Sequence, residues 1–264
     1  MKDLSLKIYN DQIFVLLGHN GAGKTTTISM LTGLLEPSSG SIEALGFNLK
    51  TDMEEVRKKM GICPQHDTLY EDLTVEEHLY LFGTFKGLDS AILDEEVKKL
   101  IKDVNLQEKT EYLSKDLSGG QKRRLSVALA FAGGSKLIYL DEPTSGMDTS
   151  ARRYIWDMMK NYKNDRIIIL TTHFMDEADF LGDRICIMND GKLVCAGSTI
   201  FLKNKFGVGY NITIAKNDSQ AKSQPIIDLI CKHVPTCKVT TDVSSEIALQ
   251  LPMEEVVKFP KLFD

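Results

Sequence analysis

Gly18-His19-Asn20-Gly21-Ala22-Gly23-Lys24-Thr25 has the spacing G-x-x-x-x-G-K-[ST], and what stands on either side of it decides the fold. Ahead of it, Ile13-Phe14-Val15-Leu16-Leu17 is apolar without alternation, as in a strand covered on both faces of a parallel sheet. Behind it, a helical stretch is predicted from about Lys24 to Leu35, broken by Pro37-Ser38-Ser39-Gly40. Strand, glycine-rich loop and helix in that order open an α/β unit. The glycines let the backbone wrap so that successive N–H groups face a phosphate, and the helix N-terminus adds its dipole. Lys24 is a point charge for β- and γ-phosphates, and the Thr25 hydroxyl is a ligand for Mg²⁺. His19 reads as a loop residue rather than an acid–base group. Alone, the motif specifies a P-loop nucleotide binder.

Upstream, Leu4, Leu6 and Ile8 alternate as in a further strand, and Asn10-Asp11 turns the chain. Downstream, Thr74 and Glu77 have capping-box spacing. Leu93, Val97, Leu100, Ile101 and Val104 then form one helical stripe. A helical lobe inserted near 72–135 is expected. Strands return at Leu137–Leu140 and Ile167–Leu170, separated by a helix around Ala151–Tyr162. Arg184–Met188 and Lys192–Ala196 flank Asn189-Asp190-Gly191, the turn of an antiparallel edge hairpin. Beyond Gly209, Tyr210, Ile212 and Ile214 alternate like a strand, and 217–224 is polar and linker-like. Pro225 opens a helix, and Ile247, Leu249 and Leu251 alternate again. The boundaries expected are 1–208 for an α/β domain and 209–264 for a partial α+β domain.

Composition removes several classes. With 264 residues, 42% hydrophobic and 26% charged, the chain is neither disordered nor a coiled coil. Its longest apolar run, Val127–Ala132, falls far short of the roughly 20 residues of a spanning helix. Met1-Lys2-Asp3 lacks the apolar stretch of a signal peptide. Lys+Arg 32 against Asp+Glu 37 gives a net charge of −5, without the basic excess of nucleic-acid binders. Cys63, Cys186, Cys195, Cys231 and Cys237 are odd in number and form no C-x-x-C pair. They speak against a disulfide framework or zinc site, and all five are read as thiols in a reducing cytosol.

Two further stretches carry chemistry. Leu137-Ile138-Tyr139-Leu140-Asp141-Glu142 is an apolar strand ending in two carboxylates. Successive strand side chains point apart, so Asp141 is assigned to Mg²⁺ and Glu142 to polarising the attacking water. In Leu117-Ser118-Gly119-Gly120-Gln121, Ser118 and Gln121 stand at capping-box spacing, and the glycines expose N–H groups at a helix start. One nucleotide does not need two such sites from one subunit. The second is therefore expected to cover the γ-phosphate held by another subunit's P-loop, the plainer reading being a well-capped helix.

The chain resembles the nucleotide-binding domain of an ABC (ATP-binding cassette) transporter, with motifs in family order over residues 1–200. Walker A is 18–25, the signature 117–121, and Walker B with its glutamate 137–142. Gln65, after Cys63-Pro64, stands where the family has its Q-loop glutamine. Ser145-Gly146-Met147-Asp148 resembles the D-loop, and His173 the switch histidine. Unaided, Gln65 reads as a surface residue and His173 as a strand-end histidine. Gly18–Thr26, Cys63–His66, Leu73–His78, Leu125–Gly134, Met175–Asp179 and Phe201–Asn204 resemble subfamily A, mostly lipid exporters.

The resemblance implies an ABC-type P-loop α/β core with an antiparallel β lobe, here incomplete, an inserted helical lobe, and an incomplete ferredoxin-like C-terminal appendage with a regulatory role. It implies MgATP hydrolysis in a sandwich of two cassettes, powering transport by transmembrane domains, with a lipid as substrate, at the cytoplasmic face of a membrane. Glu142, His173 and Gln65 are the catalytic candidates. Gly18, His19, Asn20, Gly21, Ala22, Gly23, Lys24, Thr25, Thr26, Ser118, Gly119, Gly120, Gln121 and Asp148 are the nucleotide-binding candidates. Thr25, Gln65 and Asp141 are the metal candidates. The family's upstream strand and adenine-stacking aromatic have no counterpart here, Tyr9 standing too close to Lys24, and both ends read as cut from a longer membrane protein. Two rivals remain. A chromosome-maintenance ATPase would split P-loop from signature by a long coiled coil, which these positions lack. A nucleotide-gated module without hydrolysis would lack Glu142 or His173, and both are present.

Overall fold

The computed structural model describes residues 1–207, 209–216 and 222–263. They fall into two compact units, Met1–Thr199 and Ile200–Asp264.

The first unit runs β1 (Gln12–Leu17), α1 (Lys24–Leu31), β2 (Glu43–Ala44), β3 (Phe47–Asn48), α2 (Met53–Lys58) and β4 (Met60–Cys63). Then come α3 (Val75–Phe85), α4 (Ser90–Asp103), α5 (Gly119–Phe131), β5 (Leu137–Asp141), α6 (Thr149–Tyr162) and β6 (Ile167–Thr172). It closes with α7 (Met175–Leu181), β7 (Arg184–Asn189), β8 (Lys192–Gly197) and the start of α8 (Thr199–Phe206). The main sheet has the order β4-β5-β6-β1-β7-β8. Its neighbours are parallel except β7 and β8, the edge hairpin, which turns at Asp190 and Gly191 with positive φ. Ile13 to Leu17 are all buried, as a strand covered on both faces requires. The register sets which strand ends are neighbours: Leu17 pairs with Thr172, and Asp141 pairs with Thr171. The chain therefore leaves β1, β5 and β6 side by side, in the crevice beyond the carboxyl ends where α/β sheets bind ligands.

Between β4 and β5 lie α3, α4 and α5. Thr74 accepts from the Glu77 N–H at 3.1 Å, and Glu77 accepts from the Thr74 N–H at 2.8 Å, the reciprocal cap read from the spacing. Leu93, Val97, Leu100, Ile101 and Val104 are all buried, each worth about 1.5–3 kcal/mol relative to exposure. His78 on α3 is also buried. Its Nε2 accepts from the Tyr70 N–H at 2.9 Å and its Nδ1 lies 2.7 Å from the Thr74 carbonyl, so the neutral ring carries its proton on Nδ1. Burial holds its pKa below the ordinary histidine value. On the sheet side, α5 runs so close to β4 that a Cβ on Gly61 would stand 1.7 Å from the Ala130 carbonyl oxygen.

Two local expectations are corrected, and the antiparallel lobe, expected to be incomplete, is given its extent. Leu4, Leu6 and Ile8 alternate in burial, and Leu6 and Ile8 lean on the core, but the segment forms no strand. Of the expected antiparallel lobe, the described residues show the short β2–β3 pair. The first helix ends at Leu31 rather than Leu35, because Gly33 at φ +71° turns the chain and the Leu34 N–H closes back on the Ser29 carbonyl.

The second unit contains β9 (Tyr210–Ala215), α9 (Gln224–His233), β10 (Lys238–Asp242), β11 (Glu246–Leu251) and α10 (Pro260–Phe263). Its antiparallel sheet has the order β10-β11-β9. Helix α9, with Pro225 in its first turn, brings Ile230 and Val234 against Ile247, Leu249 and Leu251. Of the linker-like stretch 217–224, residues 217–221 lie outside the described residues. The reading of five free thiols is corrected. Cys231 in the last turns of α9 and Cys237 just before β10 form a disulfide, the return from helix to strand placing their Cα atoms 5.9 Å apart. Among the described residues no helix is long and apolar enough to cross a membrane.

Candidate functional site

The loop after β1 turns on Gly21 and Gly23, at φ +85° and +99°. Gly23 caps α1 without a side-chain hydrogen bond, and no acidic residue stands in the first turn. The helix start thus keeps its N–H groups and its positive dipole end for a ligand. Lys24 is buried, and its ammonium donates to the Gly18 carbonyl at 2.8 Å and the His19 carbonyl at 3.2 Å. Thr25 and Thr26 are exposed on the first turn. His19 lies with one ring nitrogen 2.5 Å from Asn189 Oδ1 and the other 2.7 Å from the Asn20 carbonyl. These acceptors, Asn189 first, raise its pKa above the ordinary value. Gly18, His19 and Asn20 line a cavity of about 410 Å³ together with Leu17, His173 and Met175.

Asp141 ends β5, 3% exposed, and accepts a hydrogen bond from the Thr171 hydroxyl. The same hydroxyl accepts from the Glu142 N–H at 2.9 Å. Glu142 sits at φ +49°, in the left-handed region that disfavours a side chain. Its carboxylate stands 3.5 Å from the Lys24 ammonium and 3.2 Å from His173 Nδ1, the side chain 10% exposed. A carboxylate held between an ammonium and an imidazole at the mouth of a phosphate loop is placed to accept a proton from a water aimed at a phosphate.

The other sequence candidates make no hydrogen bond or ion pair to Lys24, Glu142 or His173. Ser118 caps α5, accepting from the Gln121 N–H at 3.3 Å, while Gln121 accepts from the Ser118 N–H at 2.8 Å. Ser118 and Gly119 are exposed, and a Cβ on Gly119 or Gly120 would meet nothing within 4 Å. Asp148 caps α6, its Oδ1 accepting from the Ser150 hydroxyl and from the Ser150 and Ala151 N–H groups. The Ser150 hydroxyl, then the Ala151 N–H, hold its carboxyl below the usual range. Gln65 follows β4 on an exposed segment, joined by no hydrogen bond to Lys24, Glu142 or His173.

The family model described as "ABC transporter" matches residues 1–145, more than half of the chain. The chain belongs to that family. A model described as "ACT-like domain" matches residues 210–264, so the cassette is an ABC-type P-loop α/β unit followed by a small ACT-like α+β domain. It is 49% identical over 263 residues to the phospholipid-transporting ATPase ABCA3 of Homo sapiens, a match covering all of this chain and 15% of that protein. It is 43% identical over 267 residues to ABC transporter A family member 6 of Dictyostelium discoideum, covering all of this chain and 16% of that protein. Among solved structures, an ATP-binding subunit of an ABC transporter superposes with a TM-score of 0.72 at 30% identity, over 78% of this chain and 86% of that one. A bacterial ABC transporter cassette, solved as a dimer, superposes with a TM-score of 0.67 at 25% identity, over 74% of this chain and 88% of that one.

One residue of the cassette that reaches the site was not singled out from the sequence. Arg123 on α5 is 4% exposed, and its guanidinium runs between the end of β5 and the segment that carries Gln65. The available signal was an arginine among Leu125, Val127, Ala128 and Leu129 on a helix that is buried from its second turn onward. The donor set also bears on which metal fits. Among the described residues no three His, Cys, Asp or Glu side chains are gathered to hold an ion. Thr25, Gln65 and Asp141 give oxygen donors with one carboxylate, which fits Mg²⁺ completed by substrate phosphates and does not fit zinc.

Proposed function

We propose that this cassette binds MgATP at the P-loop and hydrolyses it, with Glu142 as the base. The observation that carries the reading is the Glu142 carboxylate, set between Lys24 and His173 at the edge of the loop. Gly18 to Thr26 wrap the phosphates, Lys24 contributes the buried positive charge, and His173 stands ready to touch the γ-phosphate. Thr25, Asp141 and Gln65 hold the metal, which when bound neutralises charge developing on the phosphate oxygens. Ser118 and Gly119, exposed, with Gly120 and Gln121 behind them, present a helix start that makes no hydrogen bond to Lys24, Glu142 or His173. They serve a second cassette, so that each site takes Lys24, Thr25, Gln65, Asp141, Glu142 and His173 from one and Ser118 and Gly120 from the other. Asp148 lies at the junction of the pair.

The chain spans about 15% of the length of its ABCA3 relative, and the remaining reading rests on that kinship. The cassette powers transmembrane domains that move a lipid across a membrane, from the cytoplasmic face. Residues 1–208 form the motor, with 72–135 as its helical lobe. Residues 209–264 are a regulatory domain whose β-α-β-β order belongs to a ferredoxin-like plan. Phosphate release from purified protein tests the core of this: ATP turnover that requires Mg²⁺ is expected. ATP binding without release, with the chain folded and dimeric, would favour a nucleotide-gated module instead.

A further inference from the structure

We propose that Arg123 is a positioning residue that sets Glu142 and the Gln65 segment for hydrolysis; the proposal rests on Glu142 being the base. A guanidinium has five N–H donors in a rigid plane. In Arg123, Nε donates to the Pro143 carbonyl at 3.2 Å. Nη2 donates to the Asp141 carbonyl at 2.6 Å and the Glu142 carbonyl at 3.0 Å. Nη1 donates to the Pro64 carbonyl at 2.6 Å and Asp67 Oδ1 at 3.0 Å. Three consecutive carbonyls, 141 to 143, converge on one side chain. In an extended strand successive carbonyls point apart, and the left-handed turn at Glu142 is what gathers them.

The Glu142 peptide groups are consequently held on both sides. Thr171 takes the N–H, and Arg123 takes the carbonyl. Fixing both fixes the direction in which the side chain leaves the backbone, which is toward Lys24 and His173. The same guanidinium holds the carbonyl of Pro64, the peptide unit that leads into Gln65. One side chain thus registers two catalytic candidates against each other without touching either's reactive group.

Packing alone does not explain an arginine here. A buried charge loses its hydration, and a well-packed apolar residue of similar volume is often as stable or more so. Asp67 is the charged partner among these contacts, and its own side chain is 23% exposed. A lysine is a poor substitute, because three donors on one nitrogen cannot meet the five acceptors that the planar guanidinium reaches. Arg123 also lies on the helix that Ser118 caps, five positions on. A movement of α5 therefore reaches Glu142 directly.

The test compares Arg123→Lys and Arg123→Met with parent, using the full chain, for MgATP hydrolysis against ATP concentration, calorimetric ATP affinity and melting temperature. The expected result is a kcat about 10²-fold lower, the size of a misplacement of about 1 Å, with KM and ATP affinity close to parent. In a Glu142→Gln background, Arg123→Lys should bring no further loss, because the residue acts through the carboxylate. Parent kcat in Arg123→Lys while Glu142→Gln is slow overturns this proposal alone. Glu142→Gln turning over at the parent rate instead overturns the base assignment. A rate lost only in proportion to ATP binding makes Arg123 structural. If the arginine variants do not fold, Asp67→Ala at the exposed end decides. A kcat roughly tenfold lower, as for one charge-assisted hydrogen bond, at constant KM supports the proposal, and parent kinetics refute it.

Discussion

α1 starts at Gly23, in a left-handed conformation with no side-chain cap, whereas α5 starts at Ser118, with a reciprocal cap to Gln121. Around the first start the chain has gathered a buried lysine, a carboxylate and an imidazole. Around the second, among the described residues, no buried lysine and no imidazole is gathered, and a Cβ on either glycine would meet open space. A helix start already satisfied by its own side chains is stable alone and can wait exposed. One left unsatisfied, with a buried ammonium beside it, is built for an anion. On the proposed reading the two glycine loops work at different stages: the first would hold the nucleotide, and the second would meet it when a second cassette closes.

Glu142→Gln puts this contrast under the greatest load, because it removes the carboxylate from the first start and nothing from the second. Hydrolysis should fall by about 10²–10⁴-fold, the usual worth of a positioned base, while ATP still binds. With MgATP at millimolar-range concentration, size-exclusion chromatography should shift the variant toward a dimer, and ADP should not. A variant that stays monomeric and hydrolyses at the parent rate would remove the distinction.

A smaller effect tests the division of labour. Lys24→Ala should weaken MgATP binding by about 1.5–3 kcal/mol, the worth of hydrogen bonds to a charged group. Ser118→Arg should leave binding by the monomer unchanged and stop turnover. Mixing the two variants should restore part of the activity, since the heterodimer keeps one site with both halves intact. Demonstrated heterodimers without activity would mean that each start works within its own chain.

Much of this was legible in the sequence because the patterns are short. Lys24, the Asp141-Glu142 strand end and the Ser118/Gln121 spacing each occupy a few consecutive residues whose chemistry depends on their neighbours. Arg123 escaped because its partners, Pro64, Asp67 and Asp141 to Pro143, are far off in sequence and only folding gathers them. The left-handed turn at Glu142 has the same origin: its bonds to Thr171 and Arg123 come from elements distant in sequence, and the residue is not a glycine. Strand β10 escaped for another reason: Lys238 to Asp242 are all exposed, so no apolar alternation announces them. Leu4, Leu6 and Ile8 show the converse, an alternation in burial without a ladder.

The smallest expected effect separates the lobe from the core. His78 is neutral and buried, with its pKa below the ordinary value of about 6.5. The unfolded chain therefore takes up a proton first on acidification. The stability this histidine contributes is present above about pH 6.5 and is lost as pH falls toward its lower folded value, by at most about 1.4 kcal/mol per pH unit. Thermal melts should show a smaller acid-induced drop for His78→Gln than for parent. Equal drops would mean that His78 carries its proton in the fold as readily as in water.

The contact between Gly61 and Ala130 gives α5 a fixed floor. At that point backbone rests on backbone, with no side chain at position 61 to act as a cushion. Ser118 and Arg123 ride on that same rod, so its height is a shared calibration for the start that waits and the site that reacts. A single methyl group at position 61 would work as a shim beneath both.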